Sequence, residues 1–371
     1  MPALDVEVGV VGAGVVGCAT ALALARRGVS VVLLEAESEP GLAASGTNSG
    51  ILHTGFDSVP GEPETELILR SAALRHAVLP TLAIPMLDCG ALVRGVDLVA
   101  IGARARENCV DVVEQGDGSL LIPGEAVTDP VRYTLALASA AQRHGTELLT
   151  GHRVVAIERG STLRTATGAA VRAQVVVNCA GLEADAIARL AGDDSFEIFP
   201  RKGEFLVFDP PDDERLDRIL LPVPTKRTKG VLVFPMLDGK VVAGPTAVDQ
   251  TDKHDWSVRP RARDEILAKA CSIYPPLESA ELIAAYAGLR PAGRGANYVI
   301  GVSRACSDLV NVAAIRSTGL SASLGIAERV TEIVRELGVS LGPEQPLVPG
   351  PTPTLDGPWW RRSASYWSAE S

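Results

Sequence analysis

A glycine-rich turn between an apolar strand and a helix opens the chain, and this arrangement constrains the fold more than any other feature. Residues 6–11 are mostly valine, residues 18–28 (CATALALARRG) have a helical composition, and a second apolar strand covers residues 29–34. Strand, turn, helix and strand within about 30 residues is the length of one βαβ unit. The chain is therefore predicted to begin with an α/β domain built on a parallel sheet.

The turn VVGAGVVG carries three glycines at the spacing of a dinucleotide-binding fingerprint: Gly12, Gly14 and Gly17. The first permits a tight turn, the second lets the backbone approach a pyrophosphate, and the third lets helix and strand pack closely. The helix N-terminus then faces the negative charge. Glu35, at the end of the second strand, is expected to accept hydrogen bonds from the ribose hydroxyls. This pattern predicts a dinucleotide without distinguishing FAD from NAD.

A later segment favours FAD. The stretch AQVVVNCAGLEAD, residues 173–185, ends a strand in a small-residue turn at Ala180 and Gly181 and is similar to the second FAD motif of flavoproteins with two dinucleotide folds. In such proteins the strand that carries Val154 and Val155 passes the adenine. Apolar strands of this kind also occur in any buried parallel sheet. Their order after the glycine turn nevertheless predicts FAD as the cofactor.

Length, charge and cysteine usage narrow the class of protein. A chain of 371 residues predicts two domains, and a formal charge of -10 removes any general attraction to nucleic acid. The six cysteines show no CxxC pair and no metal-like spacing with histidine, which predicts neither a disulfide framework nor a metal site. No signal peptide is visible and no apolar run reaches the roughly 20 residues of a spanning helix, so a cytoplasmic location is expected.

The rest of the chain alternates helical and strand-like patterns. Asp129 and Pro130 predict a helix start, with Asp129 as the N-cap and Pro130 in the first turn. The other predicted elements are a helix over 64–80, a polar helix near 103–115, strands within 147–158, many short strands over 196–248, a strand, turn and long helix over 308–337, and a proline-rich tail from 338.

Seven motifs together resemble the D-amino-acid-oxidase superfamily of flavoenzymes: VGAGVVG, SGTNSGILHTGFD, RKGEFLVFD, KGVLVFP, VVAGPTAVD, YAGLRPA and IRSTGLSASLGIAE. Within it, they look most like the branch of FAD-dependent glycerol-3-phosphate dehydrogenase and L-2-hydroxyglutarate dehydrogenase or oxidase. The resemblance runs from the first strand to about residue 337. It implies an α/β fold, α+β overall, in which a Rossmann-like FAD-binding domain is interleaved with a substrate domain on a mixed, largely antiparallel sheet.

The expected FAD-binding domain is discontinuous and covers residues 1–80, 129–194 and 295–340. The substrate domain covers 81–128 and 195–294, and residues 341–371 form a tail rich in proline and tryptophan. The resemblance also implies flavin contacts in two segments, at Ala44, Ser45, Gly46, Asn48, Ser49 and Gly50, and at Arg316, Ser317, Thr318, Gly319 and Leu320. The second segment begins a helix whose dipole is expected to stabilise the reduced flavin.

One departure from the family pattern lies in this second segment. The branch usually has an acidic residue and a proline where this chain has Arg316 and Thr318. An extra cation there is expected either to raise the flavin potential or to bind substrate. The exact substrate therefore stays open at this point.

The resemblance implies a substrate site with one base and several cations. His53, in GILHTG, matches a histidine near the flavin ring and is expected to act as the base; the alternative is a histidine that only hydrogen-bonds within its loop. Arg290 resembles the arginine that anchors a substrate carboxylate or phosphate, although arginine more often forms a surface salt bridge. Lys229 and Lys202 are similar to basic positions of the substrate cavity, or are solvated lysines.

The function expected from these residues is oxidation of a small anionic 2-hydroxy acid or glycerol 3-phosphate by hydride transfer to flavin N5. One alternative is amine or amino-acid oxidation, as in glycine and sarcosine oxidases. Another is a non-catalytic FAD-binding subunit that docks on a partner, or on itself, through the tail PWWRRSASYW, residues 358–367. The electron acceptor, whether oxygen, a quinone or a carrier protein, stays open. Since the sequence ends soon after the long helix, electron transfer through the cysteine-bearing extension of some anaerobic glycerol-3-phosphate dehydrogenases is not expected.

Overall fold

The computed structural model describes residues 4–158, 161–223, 230–351 and 354–369. The helices in these residues are α1 (Val15–Ala25), α2 (Pro63–Thr81), α3 (Leu98–Glu107), α4 (Pro130–Arg143), α5 (Ala184–Leu190), α6 (Ala262–Ile273), α7 (Gly319–Glu336) and α8 (Trp359–Ala369). No helix in the described part of the chain is both long and apolar enough to cross a membrane.

The strands are β1 (Leu4–Val11), β2 (Val31–Leu34), β3 (Ile51–Leu52), β4 (Met86–Leu87), β5 (Ala91–Arg94), β6 (Val113–Glu114), β7 (Leu120–Ile122), β8 (Ala126–Thr128), β9 (Glu147–Leu149), β10 (Val154–Glu158), β11 (Thr162–Thr165), β12 (Ala170–Asn178), β13 (Ile198–Asp209), β14 (Ile219–Pro222), β15 (Leu232–Pro235), β16 (Val241–Gly244), β17 (Val248–Asp249), β18 (Glu281–Gly293), β19 (Val299–Val302) and β20 (Leu309–Ala313).

The first sheet has the order β10-β11-β12-β1-β2-β9, and β20 adds to β12 with β19 beside it. Its centre is parallel, since β1 runs parallel to both β2 and β12, and β9 and β20 continue in the same sense. Helices α1, α4 and α7 pack over one face in the largest apolar cluster. Every residue of β2 is buried, as expected for a strand covered on both faces. The predicted βαβ opening is confirmed.

The second sheet has the order β17-β13-β16-β15-β14-β5-β7-β6, with β18 along the other side of β13. All of its pairs are antiparallel except β14 with β5. The mixed α/β class with a largely antiparallel second sheet is therefore confirmed. Since every described strand of the first sheet lies in 1–80, 129–194 or 295–340, and every described strand of the second in 81–128 or 195–294, we propose these ranges as domain boundaries.

The predicted start of α4 is confirmed, whereas the prediction of a helix near 103–115 is wrong. Asp129 caps α4 through its Oδ1, which accepts from the backbone N–H groups of Val131 and Arg132 at 2.9 Å each. The other helix is α3, which begins earlier and ends at Glu107. Beyond it, Asn108 Nδ2 donates to two backbone carbonyls of residues 55 and 58, and Cys109 adopts a φ of +56°. This left-handed residue ends the helix before residue 115.

Candidate functional site

The turn between β1 and α1 is closed by glycines that leave no room for a side chain. Gly12 has a φ of +101°, and a Cβ there would lie 2.5 Å from Cys179 O. A Cβ at Gly17 would lie 1.9 Å from Gly12 O. The Cys179 N–H donates to Val11 O at 2.8 Å, which brings the turn at Ala180 against the glycine turn. The two motifs that predicted a dinucleotide are thus adjacent in space.

Glu35 holds the shape of this turn. Its Oε2 accepts from Ala13 N at 2.7 Å, and its Oε1 accepts from Glu37 N at 3.0 Å. Burial raises the pKa of Glu35, and these backbone hydrogen bonds oppose that shift. Its backbone carbonyl accepts from His152 N at 2.8 Å, which brings the residues before β10 beside the end of β2. The expected bond from Glu35 to a ribose stays a prediction.

Val154 and Val155 begin the strand β10 in this neighbourhood. Val154 is buried in an apolar cluster with Val11 and Leu34, whereas the Val155 side chain is exposed. The structure therefore brings Val154, and not the Val155 side chain, toward the end of β2.

The segment 41–50 folds back over the start of α1. Ser45 Oγ accepts from Val15 N at 2.9 Å, and a Cβ at Gly14 would lie 3.2 Å from the same oxygen. Further along, Asn48 Oδ1 accepts from Gly50 N at 2.9 Å. Gly50 has a φ of +79°, and a Cβ there would lie 2.3 Å from a backbone carbonyl. Serine and asparagine thus fix the local turns through their side chains.

The second sheet touches this segment through Gly288 of β18. A Cβ at Gly288 would lie 2.8 Å from Thr47 O and 2.9 Å from Thr47 Oγ1. On the segment's other side, Thr128 N donates to Gly50 O at 2.8 Å. Residues 47–50 are therefore held between β18 and the start of α4.

His53 is one end of a buried pair with Glu125. The ring Nδ1 lies 2.8 Å from Glu125 Oε2, and Glu125 Oε1 accepts from Thr54 N at 2.6 Å and from Thr54 Oγ1 at 2.8 Å. The His53 N–H donates to Ser321 Oγ at 2.8 Å, in the first turn of α7. Glu125 is fully buried and His53 is 8% exposed. The histidine thus bonds to a carboxylate and to a helix that are both distant from it in the chain.

Arg290 of β18 lies directly opposite Arg201 of β13, so both side chains leave the same face of the sheet. Arg201 is paired with Asp249, with Nε 2.5 Å from Oδ1. Arg290 Nη2 donates to Thr246 O at 3.3 Å, and among the described residues no carboxylate forms an ion pair with it. A Cβ at Gly203 would lie 2.2 Å from Nη2. Burial lowers the pKa of Arg290 to about 10; Arg201 adds to that shift and Asp249 opposes it.

Of the two lysines, Lys202 is described, and it does not join Arg290 on that face. Lys202 is fully buried, and its Nζ donates to Asp255 Oδ2 at 2.7 Å and Ser257 O at 2.9 Å. Side chains alternate along a strand, so Lys202 lies on the face of β13 opposite Arg290. Its charge is paired with the half-exposed carboxylate of Asp255, in the loop after β17, and its expected place in the substrate cavity stays a prediction. Lys229 lies outside the described residues.

Arg316 and Thr318 precede α7 and converge on Glu64, in the first turn of α2. Arg316 Nη2 lies 3.5 Å from Glu64 Oε2, and Thr318 Oγ1 donates to Glu64 Oε1 at 2.5 Å. Thr318 is the residue before α7, and Gly319 and Leu320 begin the helix. The charge of Arg316 is thus offset by an acidic residue from another helix. Whether these residues contact flavin stays a prediction.

The C-terminal helix α8 packs on its own chain across both sheets. Trp367 stacks on Trp256 with ring centroids 4.8 Å apart and 9° between the ring planes, and its Nε1 donates to Leu42 O at 2.9 Å. Trp359 meets the ring of Tyr286, on β18, edge to face. An interaction with a second chain through this tail stays a prediction.

Three residues that shape the site were missed in the sequence. Glu125 lies 72 positions from His53, and nothing local marks it. Gly203 could have been found, since a glycine inside a strand often marks a close approach. Glu64 could be predicted only as an acidic residue in the first turn of a helix, where it suits the helix dipole. That position does not reveal its contacts with Arg316 and Thr318.

The glycine turn, Glu35 and the close approach of residues 41–50 have the arrangement of a dinucleotide-binding fold. The chain matches the model of the DAO family, FAD dependent oxidoreductase, over residues 7–333, and it belongs to this family. The resemblance found in the sequence is confirmed. The protein is an FAD-dependent oxidoreductase, and FAD is its cofactor.

Individual relatives refine this assignment. The chain is similar to the glycerol 3-phosphate dehydrogenase of Caloramator mitchellensis, at 28% identity over 89% of this chain and 74% of that protein. It is similar to the L-2-hydroxyglutarate dehydrogenase of Escherichia coli (strain K12), at 28% identity over 64% of this chain and 63% of that protein. The solved structure of dithionite-reduced, FAD-bound L-alpha-glycerophosphate oxidase from Mycoplasma pneumoniae aligns with a TM-score of 0.84 at 26% identity, covering 91% of this chain and 96% of that chain.

The residues present fit FAD. A Cβ at Gly12 or Gly17 would meet backbone within 2.5 Å, so the glycine turn keeps the close backbone approach that a pyrophosphate requires. The turn at Ala180 lies against it, and the segment 41–50 covers the start of α1.

Proposed function

We propose that this chain oxidises the carbinol carbon of a small anionic alcohol, either glycerol 3-phosphate or a 2-hydroxy acid. The observation that carries the proposal is Arg290, a partly buried cation without an ion pair among the described residues. It lies two residues from Gly288, which contacts the segment 41–50. A guanidinium in such a position binds a carboxylate or a phosphate through two parallel hydrogen bonds.

The cofactor would be held in three places. When bound, FAD supplies the two-electron acceptor that takes a hydride from the substrate carbon. The adenosine and pyrophosphate would lie at Gly12, Gly14, Gly17, Glu35, Val154, Val155, Ala180 and Gly181. The flavin would lie along Ala44, Ser45, Asn48, Ser49 and Gly50 and before the start of α7, at Arg316, Thr318, Gly319 and Leu320.

His53 would accept the proton of the substrate hydroxyl. Its ring is nearly buried, its backbone N–H is fixed by Ser321, and Nδ1 is engaged by Glu125. Histidine is the side chain that most often serves as a general base in enzymes. Arg290 would meanwhile fix the anionic end of the substrate, so that orientation and proton removal fall to different elements, β18 and the loop after β3.

The relatives support this substrate class. One carries the name glycerol 3-phosphate dehydrogenase and matches most of this chain, and another carries the name L-2-hydroxyglutarate dehydrogenase. Both named substrates combine an anionic group with an oxidisable hydroxyl. We therefore place glycerol 3-phosphate first among the compounds to test.

The test is anaerobic bleaching of the purified yellow protein. Glycerol 3-phosphate and a series of 2-hydroxy acids are compared with glycerol, which has the hydroxyl without the anion, and with glycine and sarcosine. We expect an anionic alcohol to reduce the flavin and glycerol to leave it oxidised. Bleaching by the amino acids alone would contradict the proposal and favour amine oxidation. Reoxidation by oxygen, by a soluble quinone or by neither then identifies the class of electron acceptor.

A further inference from the structure

We propose that Glu125 is a positioning residue that holds His53 in the tautomer with the proton on Nδ1, leaving Nε2 to accept the substrate proton. This inference rests on the proposed function, in which His53 is the base. Glu125 touches neither substrate nor cofactor in this scheme and acts through the histidine. The pair joins a loop after β3 to a turn before β8, 72 residues apart in the chain.

The Glu125 carboxylate is arranged as an acceptor. Its Oε1 receives two hydrogen bonds from Thr54, one from the backbone N–H and one from the hydroxyl, at 2.6 and 2.8 Å. Oε2 then faces His53 Nδ1 at 2.8 Å. An ionised carboxylate only accepts, and donors aimed at it favour that form. His53 Nδ1 is therefore a donor to Oε2, and the proton on it fixes the tautomer.

Arg75 of α2 supports both halves of the pair. Nη1 donates to Leu52 O at 2.9 Å, and Nη2 donates to Gly124 O, the carbonyls immediately before His53 and Glu125. Burial lowers the pKa of Arg75, and Glu125 is the strongest of the charges that oppose this shift. The attraction is mutual, so the buried guanidinium favours an ionised Glu125 as well.

This arrangement favours transfer of a proton from the substrate hydroxyl to His53. The O–H bond of the substrate breaks and an N–H bond forms at His53 Nε2, while the hydride leaves the adjacent carbon to the bound FAD. The imidazole becomes an imidazolium, and the Glu125 carboxylate stabilises its charge without taking the proton. Without the carboxylate, the ring could carry its proton on Nε2, where no base would face the substrate.

The first measurement needs no substrate, and a variant serves only to assign the signals. The FAD-bound protein is labelled with 15N-histidine, and the His53 signals are assigned by their loss in His53→Gln. We expect neutral His53 to carry its proton on Nδ1. A proton on Nε2 would overturn the proposal, whatever the substrate proves to be, whereas failure of every anionic alcohol to bleach the flavin would overturn only the proposed function.

The second measurement uses Glu125→Gln, whose shape is nearly unchanged but which carries no charge and can donate to Nδ1. We expect the His53 tautomer to shift toward Nε2–H and the rate of flavin reduction to fall about 100-fold, with substrate affinity unchanged. Glu204→Gln is the matched control, since Glu204 is also fully buried and ion-paired, with Arg259. It should leave the His53 signals as they are. An unchanged tautomer and reduction rate in Glu125→Gln would overturn the proposal.

Discussion

The glycine turn after β1 and the substrate end of the site keep their shapes by different means. At Gly12 and Gly17 the backbone itself fills the space, and any Cβ would meet a carbonyl within 2.5 Å. At the substrate end, His53 and Glu125 are placed by side-chain hydrogen bonds between segments far apart in the chain. The first region is set by local sterics and the second by a network of partners. A substitution should therefore remove the cofactor in the first region and impair turnover in the second.

The largest expected effect is that of Gly17→Ala. Its methyl group would lie 1.9 Å from Gly12 O, and neither backbone segment can move without opening the turn. Overpacking of this kind costs about 3 kcal/mol or more, so we expect a protein that loses FAD, and with it all activity. The ratio of flavin to protein after gel filtration measures this.

Gly301→Ala is the matched control, because a Cβ at Gly301, in β19 of the same sheet, meets no atom within 4 Å. It should retain its flavin. Full flavin content in Gly17→Ala would show that backbone contact does not set the turn, and the proposed difference between the two regions would be wrong.

Next in size is Arg290→Ala, at the substrate end. Removing one partner of a desolvated charge pair costs about 3 kcal/mol, which is roughly 100-fold in kcat/KM. We expect most of this in KM, with flavin content unchanged, in contrast to Gly17→Ala. Arg294→Ala, next to the end of β18, removes an exposed ion pair with Glu197 and a cation–π contact with Phe199, and it should leave KM as it is. Loss of flavin from Arg290→Ala would mean that the two regions are not separate.

A smaller effect of the same kind is expected from Gly203→Ala. The new Cβ would lie 2.2 Å from Arg290 Nη2, the end of a flexible side chain, so the guanidinium should move aside and keep its charge. We expect KM to rise about tenfold, as for a cost of about 1.4 kcal/mol.

A double-mutant cycle tests this prediction, because Arg290 is the group that the new methyl group would meet most closely. The double variant should therefore be no worse than Arg290→Ala alone. Additive losses would show that Gly203 acts on something other than the guanidinium.

The same contrast explains what the sequence could reveal. Gly12, Gly14, Gly17 and Glu35 lie within one βαβ unit, where local spacing dictates the turn, so fold class and cofactor could be predicted. The partner of His53 could not, since Glu125 approaches it only through the pairing of β3 with β8.

The direction of the Lys202 side chain could not be predicted for a related reason. Lys202 follows Arg201 directly, and the alternation of side chains along β13 sends it to the other face of the sheet, toward Asp255. Which face of a strand meets the substrate depends on the packing of the two sheets. The residues of the strand alone do not specify it.

The smallest effect tests whether α8 belongs to either region. Trp367 donates to Leu42 O, and Tyr366 donates to Glu37 Oε2 at 2.8 Å, so α8 holds the chain between Glu35 and the segment 41–50. Trp367→Ala would also remove the stack on Trp256, worth about 0.5–1.5 kcal/mol beyond its buried area. We expect FAD to bind about threefold to tenfold more weakly, with KM unchanged.

Ser365→Ala, on the exposed side of α8, should change neither FAD affinity nor KM. If Trp367→Ala raised KM and left FAD affinity intact, α8 would belong with the substrate end, because its contact with Trp256, in the loop after β17, would then outweigh its contact with Leu42.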